Sequence, residues 1–275
     1  GRKDAIMIGD RIMDVEGAKA YGIPSVVVTY GYGSAEEFET CPPDFFAGSV
    51  QELYALLDVV PDAKPGYFIS MEGNDGCGKS TQANLLASKM KKYGFSVLKT
   101  REPGGSPVSE KIRNILLDKE NDAMCSMTEA LLFAAARAQH VREVIRPALQ
   151  KGMLVITDRF VDSSIAYQGA GHQLGEELVS QINAPAVDGC FPDTTVYLDI
   201  DYKTAMERRE NASETDRIEM FSDGFHQRVQ TSFQRMNEAN PQRYLKVDAT
   251  KEAEAITDDI FKGIMTRMGI PCASL

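Results

Sequence analysis

Nowhere in its 275 residues does the chain carry an apolar run approaching the length that crosses a bilayer, and residues 1–15 lack the charged-then-apolar layout of a secretory leader. No membrane partner is expected. Cysteine is scarce: five residues, an odd number with no Cys-x-x-Cys pair, exclude a disulfide framework and point to free thiols in a reducing, cytoplasmic setting. Basic residues are outnumbered, 30 Lys and Arg against 40 Asp and Glu, for a formal net charge of −10. That balance argues against a nucleic-acid partner, while leaving room for a local basic cleft that takes a small nucleotide. Internal repeats and low-complexity tracts are also missing. With 43% hydrophobic and 25% charged residues, the chain has the makings of a globular protein of one large or two smaller domains.

One motif dominates what is present. Gly73-Asn74-Asp75-Gly76-Cys77-Gly78-Lys79-Ser80 lies behind the apolar run Tyr67-Phe68-Ile69 and ahead of a helical pattern at 81–92. This is the layout of a phosphate-binding loop. Glycines let consecutive backbone N–H groups turn toward a β-phosphate, the next helix adds its positive end, Lys79 bridges β- and γ-oxygens, and Ser80 ligates Mg²⁺, with Thr81 next in line.

The chain breaks at Pro61-Asp62-Ala63-Lys64-Pro65-Gly66, which divides a segment 1–60 from a segment 67–275 through a linker at 61–66. A helical pattern at Val50–Val59 precedes the break. After it, strand-like runs at 67–72, 95–100, 153–157, 194–200 and 243–247 alternate with helical patterns at 79–93, 106–118, 127–150, 202–210, 222–238 and 251–268. Such alternation predicts an α/β fold whose parallel sheet is covered by helices on both faces. Ser126-Met127-Thr128-Glu129 has the form of a capping box, and the helix it opens sets Phe133 and Arg137 four residues apart on one face, where a ring and a guanidinium can stack on a base and bond its edge. Asp158-Arg159 follows the apolar strand Met153–Thr157, so both side chains emerge at a carboxyl end. A carboxylate there can serve a metal shell, and an arginine can clamp phosphoryl oxygens.

Five blocks carry a family likeness. They are Phe68 to Ser80; Thr100-Arg101-Glu102-Pro103-Gly104-Gly105; Glu129 to His140; Asp158-Arg159-Phe160 with Ser163, Ser164 and Ala166-Tyr167-Gln168-Gly169; and Pro192-Asp193 before Leu198-Asp199. In these blocks, in order and spacing, segment 67–275 resembles bacterial thymidylate kinases. The resemblance implies a five-stranded P-loop kinase fold with a lid, a homodimer, and transfer of the γ-phosphoryl group of ATP to dTMP, giving dTDP and ADP. It also implies that Gly73 to Thr81 hold the ATP phosphates, and that Asp158 serves Mg²⁺ through water. For dTMP it implies Arg101 and Arg159 at the monophosphate, Asp75 at the 3′-hydroxyl, Phe133 and Arg137 at thymine, Ser163, Ser164 and Gln168 on the turn that meets its edge, and Tyr167 beside C2′. Some relatives carry Arg where this chain has Gly76, which shifts transition-state charge to the lid, with Arg208, Arg209 and Arg217 as candidates.

Segment 1–60 differs. Ala5-Ile6-Met7-Ile8-Gly9-Asp10-Arg11-Ile12-Met13-Asp14 reads as a strand delivering two carboxylates at its carboxyl end. With Gly17-Ala18-Lys19, Tyr30 to Ser34 and Ala47-Gly48-Ser49, it resembles the last part of a haloacid dehalogenase-like phosphatase, a partial Rossmann-like α/β fragment in which Asp10 and Asp14 would hold Mg²⁺. The family's nucleophilic Asp-x-Asp is absent from residues 1–60, so no aspartyl-phosphate is expected to form. The opening Gly1 leads us to expect the tail of a longer fusion, inactive as a phosphatase.

Overall fold

The computed structural model describes residues 5–56, 66–209 and 221–270. Two compact units emerge, Gly1–Lys64 and Pro65–Leu275.

In the first unit, β1 (Met7–Gly9), β2 (Ser25–Val28) and β3 (Phe45–Ala47) form a parallel sheet in the order β1-β2-β3, with α1 (Ile12–Tyr21) joining the first pair and α2 (Val50–Leu56) following the third. Val15, Val27 and Phe38 make its small core. Asp10 follows the end of β1, and Asp14 lies in the first turn of α1, with its carboxylate turned back to the carboxyl end of that strand. Its Oδ2 accepts the backbone N–H groups of Asp10 and Arg11, both at 3.2 Å.

The second unit is built on five parallel strands: β4 (Phe68–Glu72), β5 (Val97–Arg101), β6 (Leu154–Asp158), β7 (Thr194–Asp199) and β8 (Tyr244–Asp248), in the order β5-β6-β4-β7-β8. The helices are α3 (Lys79–Lys92), α4 (Pro107–Leu117), α5 (Ser126–His140), α6 (Arg146–Gln150), α7 (Val161–Ser164), α8 (Glu176–Val187), α9 (Tyr202–Arg209), α10 (Asp223–Ala239) and α11 (Ala253–Arg267). Strand alternation divides β4 between two cores. Ile69 and Met71 join Leu86 and Met90 of α3 and Ile260, Phe261 and Ile264 of α11 on one face. Phe68 points the other way, to Val141, Ile145 and Phe160. A third cluster around Tyr167, Tyr197, Phe225 and Phe233 closes that face near β7.

Several local expectations are corrected. The pattern at 127–150 is helical throughout, as expected, but not uniformly α: a π-helical turn at Val141–Ile145 lies between α5 and α6, just before Pro147, which brings no N–H to the helical ladder. The capping box does not form. Cys125 is the N-cap and its side chain caps nothing, while Glu129 turns inward to accept Gln168 Nε2 at 2.9 Å and pair with His172 Nε2 at 3.0 Å. Burial won over capping because two long-range donors reach the carboxylate.

Leu86 is fully buried between β4 and α11. Leu86→Ala should therefore cost roughly 2–5 kcal/mol, from lost transfer energy and the cavity left behind, and urea unfolding of the purified variant measures it.

Candidate active site

The loop after β4 turns on glycine. Gly73 has φ 140°, and a Cβ there would lie 2.9 Å from both Cys77 Sγ and the Leu198 carbonyl oxygen, so a side chain is excluded by conformation and by space. Lys79 opens α3 and is buried; its Nζ donates to the carbonyls of Gly73 at 3.0 Å and Asn74 at 2.7 Å, which holds the ammonium over the loop. Burial pushes the Cys77 thiol up in pKa, so beside Lys79 it stays an uncharged wall. The next side chain, Ser80, donates its hydroxyl to Asp158 Oδ2. Asp158 is the last residue of β6 and pairs with Met71 across the sheet, and this register brings the two motifs together.

Arg159 follows at φ 69°, a left-handed conformation that costs a non-glycine residue roughly 1–3 kcal/mol. Neighbours hold it there. Its N–H donates to the Met71 carbonyl at 3.0 Å, Thr157 Oγ1 donates to its carbonyl at 2.9 Å, and the next N–H, of Phe160, donates to Glu72 Oε1 at 2.7 Å. The guanidinium then reaches Asp75 Oδ1, Ser163 Oγ at 3.0 Å and Tyr167 Oη at 3.2 Å, and lies 4.8 Å from the Tyr167 ring centre. Tyr167 donates its hydroxyl to the other Asp75 oxygen at 2.7 Å. Burial alone would lower the Arg159 pKa, but Tyr167, Asp75, Asp158 and Glu72 around it hold it well above its usual value. Burial likewise raises Tyr167 far above the usual phenol, so both groups keep their protons. Glu72 is wholly buried, and burial, with Asp162 adding to it, raises its carboxyl from 4.5 to about 8.

Asp75, Arg159 and Tyr167 line a cavity of about 500 Å³. The same cavity is lined by Gly76, Gly78, Lys79, Ser80, Thr81, Arg101, Phe133, Arg137, Asp158, Ser163, Ser164 and Gln168. Phe133 and Arg137 do share the inward face of α5: Phe133 is half-buried against the Tyr167 cluster, and Arg137 is buried. Arg101 stands at the end of β5, held in a two-point fork by Glu110, with both contacts at 2.9 Å. Glu110 also accepts the Gly105 N–H at 2.8 Å, and that bond, with Arg101, lowers its pKa.

Other expected residues are engaged otherwise or lie elsewhere. Arg208 borders the cavity, but its guanidinium donates to the carbonyls of Ala249 at 2.6 Å and Thr250 at 2.7 Å. Arg209 is the last residue of α9, and Arg217 lies outside the described residues. Asp10 and Asp14 are in the other unit, where Asp10 Oδ2 accepts the Tyr32 N–H at 2.6 Å. Among the described residues no group of three or more potential metal ligands is found.

The carboxylates that hold the cations escaped the sequence reading. Glu102 takes Arg137 Nε at 2.7 Å and His140 Nδ1 at 3.0 Å, and Arg137 Nη1 also reaches Ser164 Oγ at 3.1 Å and Asn183 Oδ1. One signal was present: Glu102 directly follows the end of β5, where a charged residue is available to neighbouring loops.

A family model for thymidylate kinase matches residues 71–260, and one described as HAD-hydrolase-like matches residues 2–53. The thymidylate kinase of Enterococcus faecalis is 45% identical over 205 residues, covering 74% of this chain and 97% of that protein. That of Caldanaerobacter subterraneus is 46% identical over 199 residues, covering 72% and 95%. The crystal structure of thymidylate kinase from Ehrlichia chaffeensis superimposes with a TM-score of 0.60 at 33% identity, covering 73% of this chain and 99% of that one.

Two outcomes follow from the buried charges. Arg137 and Glu102 are each 2% exposed, so Arg137→Ala strands a carboxylate in the interior and should cost roughly 3–5 kcal/mol in chemical denaturation. Glu72 behaves in the opposite sense. A carboxyl raised on folding binds its proton more tightly in the folded chain, so its contribution to stability is complete below about pH 4.5 and is lost as pH climbs through 8. Glu72→Gln cannot ionise and should gain stability relative to the parent across that window; unfolding curves near its two ends check this, and a constant difference would refute it.

Proposed function

We propose, from the premise that this chain belongs to the thymidylate kinase family, that the unit from Pro65 onward transfers the γ-phosphoryl group of ATP to dTMP, giving dTDP and ADP. The observation that carries the reading is the meeting of two phosphate-handling groups in one cavity: Lys79 at the start of α3 and Arg159 after β6, with Phe133 and Arg137 lining the same cavity. Phosphoryl transfer asks for alignment and charge neutralisation more than for covalent chemistry. A site of lysine, arginines and backbone amides supplies that.

In this reading the loop Gly73 to Gly78, with Lys79, Ser80 and Thr81, holds the ATP phosphates. Ser80 and Asp158 present hard oxygen donors within hydrogen-bond reach of each other, a pair that fits Mg²⁺ with Asp158 acting through water. When bound, the cation neutralises the phosphate oxygens. Arg159 and Arg101 take the acceptor's monophosphate. Phe133 stacks on thymine, a contact worth about 1–3 kcal/mol, and Arg137 donates to a ring carbonyl while Ser163, Ser164 and Gln168 complete the turn beside it. Tyr167, fixed by Asp75 and Arg159, fills the space beside C2′ and disfavours ribose, and Asp75 meets the 3′-hydroxyl. Arg209 and Arg217 are assigned to the lid. Arg208 is better suited to anchoring α9 on the loop after β8, since its donors go to carbonyls.

We assign a homodimer, supported by the exposed Val108 and Ile115 of α4 and Met127 and Leu131 of the adjoining α5. A cytoplasmic setting accords with the unpaired Cys41, Cys77, Cys125 and Cys190, and no helix among the described residues is long and apolar enough to cross a membrane. Residues 1–60 contain no Asp-x-Asp pair, and we assign them no phosphatase chemistry.

Lys79→Ala should fold normally and lose roughly 10²–10³-fold or more in turnover, since one preorganised cation leaves a site built on charge stabilisation. A coupled ADP assay offering dTMP, dUMP, dGMP, AMP or no acceptor tests the substrate: ADP should form fastest with dTMP, and acceptor-independent ADP release at the same rate would defeat the reading.

A further inference from the structure

Arg137 uses its guanidinium unusually. A carboxylate beside an arginine frequently takes a two-point fork with its two oxygens, and the fork open to a carboxylate at Nε is the one that also uses Nη2. Glu102 takes only Nε, at 2.7 Å through Oε2. Its other oxygen is held by His140 Nδ1 at 3.0 Å, and the far ring nitrogen is held by Thr100 Oγ1 at 2.7 Å. Nη1 is engaged by Ser164 and Asn183. That leaves Nη2, which has no hydrogen bond among the described residues, on a side chain that lines the cavity.

We propose that Glu102 and His140 are a positioning pair for acceptor recognition, His140 holding the Glu102 carboxylate away from the arginine fork so that Arg137 keeps Nη2 for the pyrimidine base. The proposal rests on the reading of Arg137 as a base-binding residue and deepens it. Neither acid nor imidazole needs to touch substrate. A carboxylate oxygen accepts, so Nδ1 donates to Glu102, and Nε2 at the other end of the ring pairs with the Thr100 hydroxyl. The ring is fixed from both ends, and it is wholly buried. It is also boxed in from above. Gly105, at φ 85°, packs so closely that a Cβ there would overlap the imidazole, which ties the loop carrying Arg101 to the same histidine. A guanidinium pinned at Nε and Nη1 cannot turn in its own plane, so the direction of Nη2 is set before substrate arrives. A group that donates only favours a base carbonyl over an exocyclic amine at that position.

Remove the imidazole and Glu102 is free to swing one oxygen onto Nη2. His140→Leu should then raise KM for dTMP about tenfold or more, the scale of one hydrogen bond to a charged group, with KM for ATP within about twofold. His140→Gln, whose amide can donate to Glu102 and accept from Thr100, should recover most of the loss. In an Arg137→Lys background, which has no Nη2 to protect, His140→Leu should change KM for dTMP by less than about twofold. Unfolding curves run on each variant, and if His140→Leu does not fold, Thr100→Val carries the same test with a smaller rise in KM for dTMP alone. The outcomes separate the two claims. Unchanged KM for dTMP in folded Arg137→Lys would remove Arg137 from the base, and the proposal with it. A raised KM in Arg137→Lys beside an unchanged one in the His140 and Thr100 variants would keep Arg137 and overturn the positioning pair, as would equal losses for dTMP and ATP.

Discussion

A cation taken out of water must be surrounded by acceptors, and that requirement organises the nucleotide-binding unit. Lys79, Arg137 and Arg159 all sit inside or nearly so, and each is met by acceptors: the carbonyls of its own loop for Lys79, Glu102 with Ser164 and Asn183 for Arg137, Asp75 with Ser163 and Tyr167 for Arg159. Leaving any of them unpaired would cost several kcal/mol. The sheet order serves this constraint. With β6 between β5 and β4, the carboxyl ends that carry Arg101, Asp158 and the phosphate loop stand side by side, and the left-handed turn at Arg159 swings its side chain across the gap.

Much of this was legible because the chemistry lies in short, local words. The phosphate loop, Asp158-Arg159 and the Phe133/Arg137 spacing each fit within a dozen residues, and strand alternation with helices predicts the parallel sheet. What escaped is non-local. Glu102 is 35 residues from Arg137 in sequence, and Asp75 is 84 from Arg159, so nothing in the local pattern names these partners. Glu129 shows the local rule losing: its position suits a capping box, yet Gln168 and His172 supply donors inside the fold and the carboxylate goes to them. Helix α8 was missed for a related reason. Pro185 lies within it, two residues before its end, and a proline there reads as a breaker until packing against α5 is known.

The acidic total and the basic cavity are parts of one arrangement. A net charge of −10 spread over the chain disfavours long polyanions, while Arg101, Arg137, Arg159 and Lys79 gather around about 500 Å³ that suits a mononucleotide and a triphosphate tail. The arginines assigned to the acceptor phosphate are already paired, Arg101 with Glu110 and Arg159 with Asp75. An arriving ligand therefore competes with carboxylates rather than filling bare charge. A phosphate dianion carries more charge and a third oxygen, so it can add to or replace those pairs. A nucleoside without its phosphate cannot, so under that assignment the balance of charges in the cavity favours a monophosphate.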